Sequence, residues 1–299
     1  MKKKEKQNLS INDSKINGLL NNIFEEIESR SLGNTKEGIS MSFFDFDAIT
    51  QGLIPGNLYI LGGRPCMGKT SLALNILKNI SQIHNLPVCF FTLEMSKKML
   101  SYRLISMETG IESSRLRTGR LTQEEWPILG EAINFISNNH IYLIDKTSVQ
   151  VEEIKIFCEE VKNKNEKELG IIVIDYLQLM EDKSLSDNIS REDEISKILS
   201  NLKNLAINLE VPILITSQLK RELETRINKR PMLNDLRESD EIENRADLIA
   251  FIYRDEYYNP ESEDRGITEI IVTKQENGPV GTVKLLFEPQ YTRFRNLAT

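Results

Sequence analysis

Residues 58–78 read LYILGGRPCMGKTSLALNILK, and this stretch decides the fold. The apolar run Leu58–Leu61 has the length and character of a buried strand. It runs into Gly63-Arg64-Pro65-Cys66-Met67-Gly68-Lys69-Thr70, which fits GxxxxGK followed by Ser or Thr. Ser71 to Lys78 then opens a helical pattern. A strand before and a helix after are the flanks that make this a phosphate-binding loop rather than a chance glycine turn. The glycines let the backbone curl so that its N–H groups face phosphate, and the helix N-terminus adds positive partial charge. The nucleotide-binding run is therefore Gly63, Arg64, Pro65, Cys66, Met67, Gly68, Lys69, Thr70 and Ser71. Lys69 is expected to reach the β- and γ-phosphates of ATP, and the Thr70 hydroxyl to bind Mg²⁺.

Working outward, short apolar runs at Val88–Leu93, Ile141–Ile144, Ile171–Asp175 and Ile213–Ser217 alternate with helical patterns. The helices are expected near 69–82, 97–109, 122–138, 151–164 and 190–209. This alternation implies an α/β fold with a mainly parallel sheet flanked by helices. Leu248–Tyr253, Glu269–Thr273 and Thr282–Glu288 follow without long helices between them. Asn277-Gly278-Pro279 separates the last two, so an antiparallel hairpin is expected at the sheet edge.

Ligands of such sheets sit at the C-terminal ends of the strands. Asp175 ends one strand and is placed to hold Mg²⁺ together with Thr70. Glu94 follows another and can orient and deprotonate an attacking water, or else lie in the first turn of the next helix for dipole reasons. Gln218 ends a third and can contact the γ-phosphate, or else be an ordinary surface glutamine.

Composition narrows the remaining classes. The 299 residues carry a net charge of −7, so any nucleic-acid contact must come from a local basic patch. Three scattered cysteines without CxxC suggest a reducing, intracellular compartment. With His84 and His140 alone, a zinc site or Ser-His-Asp triad is not expected. The basic start lacks the apolar run of a signal peptide, and nothing approaches a membrane span. Residues 1–10 are polar and expected to be disordered. From 11 to 31, Ile16, Leu19, Leu20, Ile23 and Ile27 recur at helical spacing and give one apolar stripe. That stripe must pack on its own domain or on a neighbouring subunit. The domains are thus 1–37, a tail and amphipathic helix, and 38–299, the main ATPase domain.

Together the blocks resemble the C-terminal ATPase domain of replicative DNA helicases of the DnaB type, a RecA-like P-loop NTPase. The likeness runs from about Gly38 to Phe294. It is carried by Gly38-Ile39, Phe43 to Asp47, RPCMGKT at 64–70, LEMS at 93–96, VIDYLQLM at 173–180 and SQL at 217–219. It continues through RP at 230–231, DLRES at 235–239, FIYRDEYY at 251–258, KQ at 274–275, NGP at 277–279 and TRF at 292–294.

The resemblance implies a homohexameric ring with ATP between subunits, moving 5′ to 3′ on single-stranded DNA in a bacterial or phage cytoplasm or a plastid stroma. By that likeness Glu94 is the catalytic carboxylate, Gln218 the sensor that couples ATP to the DNA loop, and the 11–31 helix a linker helix that docks on a neighbour. The loop from Lys220 onward supplies Arg221, Arg226, Lys229, Arg230 and Arg237 as a path for a phosphate backbone. Arg237 and Glu238 belong to the family's R-E-S-G stretch that meets DNA.

Three departures set expectations. Residues 1–37 leave no room for the family's N-terminal domain, so primase recruitment in the usual way is not expected. The family's K-Q-R-N-G-P, with its arginine finger, reads Lys274-Gln275-Glu276-Asn277-Gly278-Pro279 here. Such arginines supply roughly 10³–10⁵ in rate, and Lys274 replaces one only as a point charge. Asp240 stands where the family has glycine in the DNA stretch. The leading expectation is therefore a DNA helicase weakened at its finger. The competing one is a non-motor ATP-binding subunit that joins or regulates a helicase ring. A recombinase-like or clock-like ATPase is disfavoured by the DLRES and FIYRDEYY blocks.

Overall fold

Five strands follow the apolar runs; four are buried on both faces, as a parallel sheet covered by helices requires, and Ile141–Asp145 at the sheet edge is only half-buried. The structure is a computed structural model describing residues 16–32, 38–182 and 189–297. The polar start at 1–10, the first residues of the expected 11–31 helix and Gly33 lie outside the described residues. The chain forms two units, Met1–Glu37 and Gly38–Thr299.

In the first unit, α1 (Ile16–Ser31) carries the expected stripe of Ile16, Leu19, Leu20, Ile23 and Ile27, all exposed, as is Phe24 beside them.

The second unit begins with α2 (Phe44–Thr50), β1 (Leu58–Gly63), α3 (Lys69–His84) and β2 (Val88–Thr92). Next come α4 (Lys97–Thr109), α5 (Ser113–Thr118), α6 (Glu125–Ser137), β3 (Ile141–Asp145), α7 (Val151–Asn165) and β4 (Ile171–Asp175). Then follow α8 (Arg191–Leu209), β5 (Ile213–Gln218), α9 (Ser239–Arg245), β6 (Leu248–Tyr253) and α10 (Asp255–Tyr258). The chain closes with β7 (Ile267–Gln275), β8 (Gly281–Glu288) and β9 (Arg293–Asn296).

The sheet has the order β3-β2-β4-β5-β1-β6-β7-β8-β9. β3 to β6 along that order are parallel, and β7, β8 and β9 are added antiparallel. The expected edge hairpin is thus β7–β8, and it gains a third strand, β9.

Period-2 alternation divides each strand between two cores. Leu58, Ile60, Ile172, Ile174, Ile249 and Phe251 face the core that α7 and α8 cover. Tyr59, Leu61, Ile171, Val173, Ala250 and Ile252 face the core with α3 and α4.

Local signals set the helix ends. α4 starts where the Ser96 hydroxyl accepts the Met99 N–H and stops at Gly110 in the left-handed region. α8 starts at Ser190, which accepts the Asp193 N–H, with Glu192, Asp193 and Glu194 in its first turn. No described helix is long and apolar enough to cross a membrane.

This topology positions the site. β1 lies between β5 and β6, yet the chain leaves it through α3 for β2, which lies beyond β5 and β4. The crevice opened by that change of direction, at the C-terminal strand ends, is where open α/β sheets bind ligands.

Candidate active site

The loop after β1 turns through Cys66 at φ 65° and Gly68 at φ 104° before α3 begins at Lys69. Gly68 also packs closely: a Cβ there would stand 3.0 Å from the Phe294 ring. Both the left-handed backbone and the space require glycine. Lys69 folds back over the loop, and its ammonium donates to the Gly63 carbonyl at 2.8 Å and the Arg64 carbonyl at 3.0 Å. Burial lowers the Lys69 pKa to about 8, while the Asp175 and Glu94 carboxylates act in the opposite direction.

Asp175, 2% exposed at the end of β4, is held by two hydroxyls. Thr70 donates to Oδ2 at 2.8 Å, and Thr216 at the end of β5 donates to Oδ1. The P-loop hydroxyl and the strand-end carboxylate therefore meet although 105 residues separate them.

These groups line a cleft of about 380 Å³ with Glu94, Gln218 and Tyr176. Glu94 is exposed to this cleft in a bend between β2 and α4. It precedes the Ser96 cap, so the alternative of a first-turn helical glutamate does not hold.

Arg103 on α4 also lines the cleft, and the sequence motifs did not single it out. Its pKa is pushed down by burial and supported by Asp175 and Glu94. Among the described residues no carboxylate forms an ion pair with it.

Arg64 and Met67 face away from the cleft. The Arg64 guanidinium donates to the Leu219 carbonyl at 2.9 Å and pairs with Glu224 at 2.7 Å. Met67 is buried in the core with α3. Only their backbone belongs to the phosphate loop. A second hollow, about 350 Å³ between α7 and α8, is lined by Gln150, Lys155, Asn201 and Asn208 and contains none of these groups.

Gln178, in a short 3₁₀ turn after β4, joins the cleft residue Gln218 to Glu238. Its Oε1 accepts the Gln218 N–H at 3.2 Å. Its Nε2 donates to Ser217 Oγ at 2.9 Å and to Glu238 Oε2 at 3.4 Å.

The basic loop is packed: Leu219 bridges to Leu236, and Leu223 and Leu236 are buried. Arg226 pairs with Asp235 at 2.8 Å, Arg230 pairs with the buried Glu269 at 2.5 Å, and Lys229 donates to the Glu224 carbonyl at 2.6 Å. Lys220 donates to the Asn234 carbonyl at 3.0 Å. Arg221 and Arg237 form no ion pair among the described residues. Glu238 takes φ 51° just before α9, and Asp240 lies in the first turn of α9, where a carboxylate suits the helix dipole.

Lys274 at the end of β7 lies outside the cleft of its own chain. Its ammonium donates to the Glu243 and Ala246 carbonyls, both at 2.6 Å, and so caps the C-terminus of α9. Glu276 is half exposed and 3.5 Å from Lys274.

A phosphate loop on β1, a strand-end carboxylate beside its threonine and this strand order define the class of RecA-like P-loop domains. The model of the DnaB-like helicase C-terminal domain matches residues 38–296, and the chain belongs to that family. It is 46% identical over 260 residues to the replicative DNA helicase DnaB of Geobacillus stearothermophilus, covering 87% of this chain and 57% of that protein. The chain thus spans just over half the length of this curated relative. Among solved structures it is similar to an ATPase domain, with TM-score 0.89, 40% identity and coverage of 95% of this chain and 99% of that one. It is also similar to a DnaB-like replicative helicase solved with its interactions with primase, at TM-score 0.85 and 40% identity, covering 98% of this chain and 68% of that one.

Proposed function

We propose that this chain is the ATP-hydrolysing motor domain of a replicative DNA helicase, acting on single-stranded DNA as one subunit of a ring. The observation that carries the reading is one cleft, in a chain of this family, that brings Lys69, Thr70, Asp175 and Glu94 together. A reducing cytoplasm or plastid stroma belongs to the same reading.

The residues suit Mg²⁺. This ion is commonly held by one or two carboxylates together with substrate phosphates rather than by an all-protein cage. Thr70 and Asp175, already 2.8 Å apart, are the protein oxygens for it, and no group of three or more acidic, His or Cys ligands occurs among the described residues. Bound there, the ion would neutralise charge on the β- and γ-phosphates. Lys69 exchanges its two carbonyl partners for phosphate oxygens, and Arg103, which also lines the cleft, provides a second cation. Glu94 takes the proton of the attacking water. Gln218 senses the γ-phosphate, and Gln178 passes its position to Glu238 beside the DNA.

Arg221 and Arg237 are the leading phosphate-backbone contacts. Arg226, Lys229 and Arg230 shape the loop through their own-chain partners, and they reach DNA only where those contacts open. Lys274 is the nearest cation to the lost finger, and it serves a neighbour's ATP only by leaving its cap on α9.

Glu276 and Asp240 favour a second reading, a subunit that binds ATP without working as a motor. Steady-state ATP hydrolysis with Mg²⁺, with and without single-stranded DNA, separates the two. The motor reading expects DNA-stimulated turnover that Lys69→Ala abolishes. ATP binding without turnover would transfer support to the second reading.

A further inference from the structure

The phosphate loop and the basic loop leave neighbouring strand ends. Gly63 at the end of β1 lies in register with Gln218 at the end of β5, so Arg64 and Leu219 start their loops side by side. The Arg64 side chain, 9% exposed, ties the two loops together. Its Nη1 donates to the Leu219 carbonyl at 2.9 Å, and its Nε donates to Glu224 Oε1 at 2.8 Å. Its Nη2 stands 2.7 Å from the same oxygen. A guanidinium is a planar fork, so these contacts fix its direction as well as its place.

Glu224 belongs to the 3₁₀ turn Arg221–Thr225, in which Leu223 is buried. The Glu224 carbonyl accepts the Lys229 ammonium further along the basic loop. On the cleft side, the Arg64 carbonyl is one of the two oxygens that hold the Lys69 ammonium. One residue is thus bonded through its backbone to the phosphate lysine and through its side chain to the turn that carries Arg221.

We infer that Arg64 is a positioning residue that couples nucleotide occupancy to the placing of the Arg221 turn, through its ion pair with Glu224. The inference rests on the reading of the cleft as an ATP site and of the basic loop as a path for DNA. When Lys69 turns to phosphate, the Arg64 carbonyl loses that partner and the loop settles on the nucleotide. The side chain moves with it, and Glu224 draws the turn along. This link leads to Arg221, whereas Gln218 and Gln178 lead to Glu238. Glu224 is 44% exposed, and a pair so open to water adds little to stability, so its effect lies in position.

The test is the affinity of the full chain for a labelled oligothymidylate, by fluorescence anisotropy, with Mg²⁺ and a non-hydrolysable ATP analogue and again without nucleotide. The ratio of the two affinities measures the coupling, which between linked sites is commonly about 5–150-fold. Glu224→Gln keeps the side-chain shape and removes the charge. It is expected to shrink the ratio about threefold or more, with affinity for the analogue alone changed less than about twofold. A shift of both DNA affinities by one common factor, with the ratio intact, would overturn the inference, since Glu224 would then be only a charge near DNA. A wild type whose DNA affinity ignores the nucleotide would overturn it too. A wild type that binds the analogue but no DNA would instead remove the helicase reading, and this inference with it.

Discussion

Lys69 holds its ammonium against two backbone carbonyls in a buried site, and its pKa of about 8 sets a testable pH window. The folded value lies below the ordinary 10.5. Between the two, the unfolded chain binds more protons than the folded one, so this residue makes stability rise with pH across that window. Nucleotide affinity runs the other way. Phosphate beside Lys69 holds the proton more tightly, so binding above about pH 8 takes up a proton, and the affinity for Mg-ATP should fall by up to roughly tenfold per pH unit. Titration calorimetry in buffers of different ionisation enthalpy checks both the slope and the proton uptake. A flat affinity from neutral pH to about 9.5 would remove the assignment. Glu276 is the second residue to test. It is half exposed, so exchange for arginine should not disturb the fold, and Glu276→Arg is expected to raise ATP turnover at least about tenfold if the finger is what limits it. Unchanged turnover would mean that another cation already serves the neighbouring site. The P-loop, Asp175 and Glu94 were legible in the sequence because each follows an apolar strand, and strand ends define the site. Arg103 was not, since its place depends on how α4 packs against the loop.

At the scale of elements, the long helices and buried strands were legible because their apolar periods match the cores they face. β9 was not: in Arg293–Asn296 only Phe294 is apolar, and pairing with β8 supplies what the pattern lacks. α9 was hidden for a related reason, since its seven residues are mostly polar and it is tied down by its neighbours. Gln178 reaches Glu238 at its start, and Lys274 caps its last carbonyls. The element is therefore held at both ends by side chains from elsewhere. Gln178→Leu removes the link at one end while keeping the side-chain volume. It is expected to reduce the stimulation of ATP turnover by single-stranded DNA about fivefold or more, with nucleotide affinity changed less than about twofold. If DNA stimulation survives in full, coupling runs by another route.

For the whole molecule, the question is what covers α1. A 16-residue helix is marginal in water by itself, and most helical stability comes from packing an apolar face. Here Leu19, Leu20, Ile23, Phe24 and Ile27 remain exposed. Each such side chain gains roughly 1.5–3 kcal/mol on full burial, so the stripe favours association. Under the proposed ring assembly, a second copy of this chain would be the occupant, and the same assembly would bring Lys274 toward a neighbour's nucleotide. Ile23→Asp with Ile27→Asp places two charges on that stripe and leaves Gly38–Thr299 untouched. Light scattering should show a multiple of the 34.4 kDa chain in the wild type and a shift toward one chain in the variant. The variant should still bind ATP, since Lys69, Thr70 and Asp175 belong to one subunit, but it should lose most of its turnover. A variant that is a single chain and hydrolyses ATP at the wild-type rate would show that each cleft is complete without a neighbour.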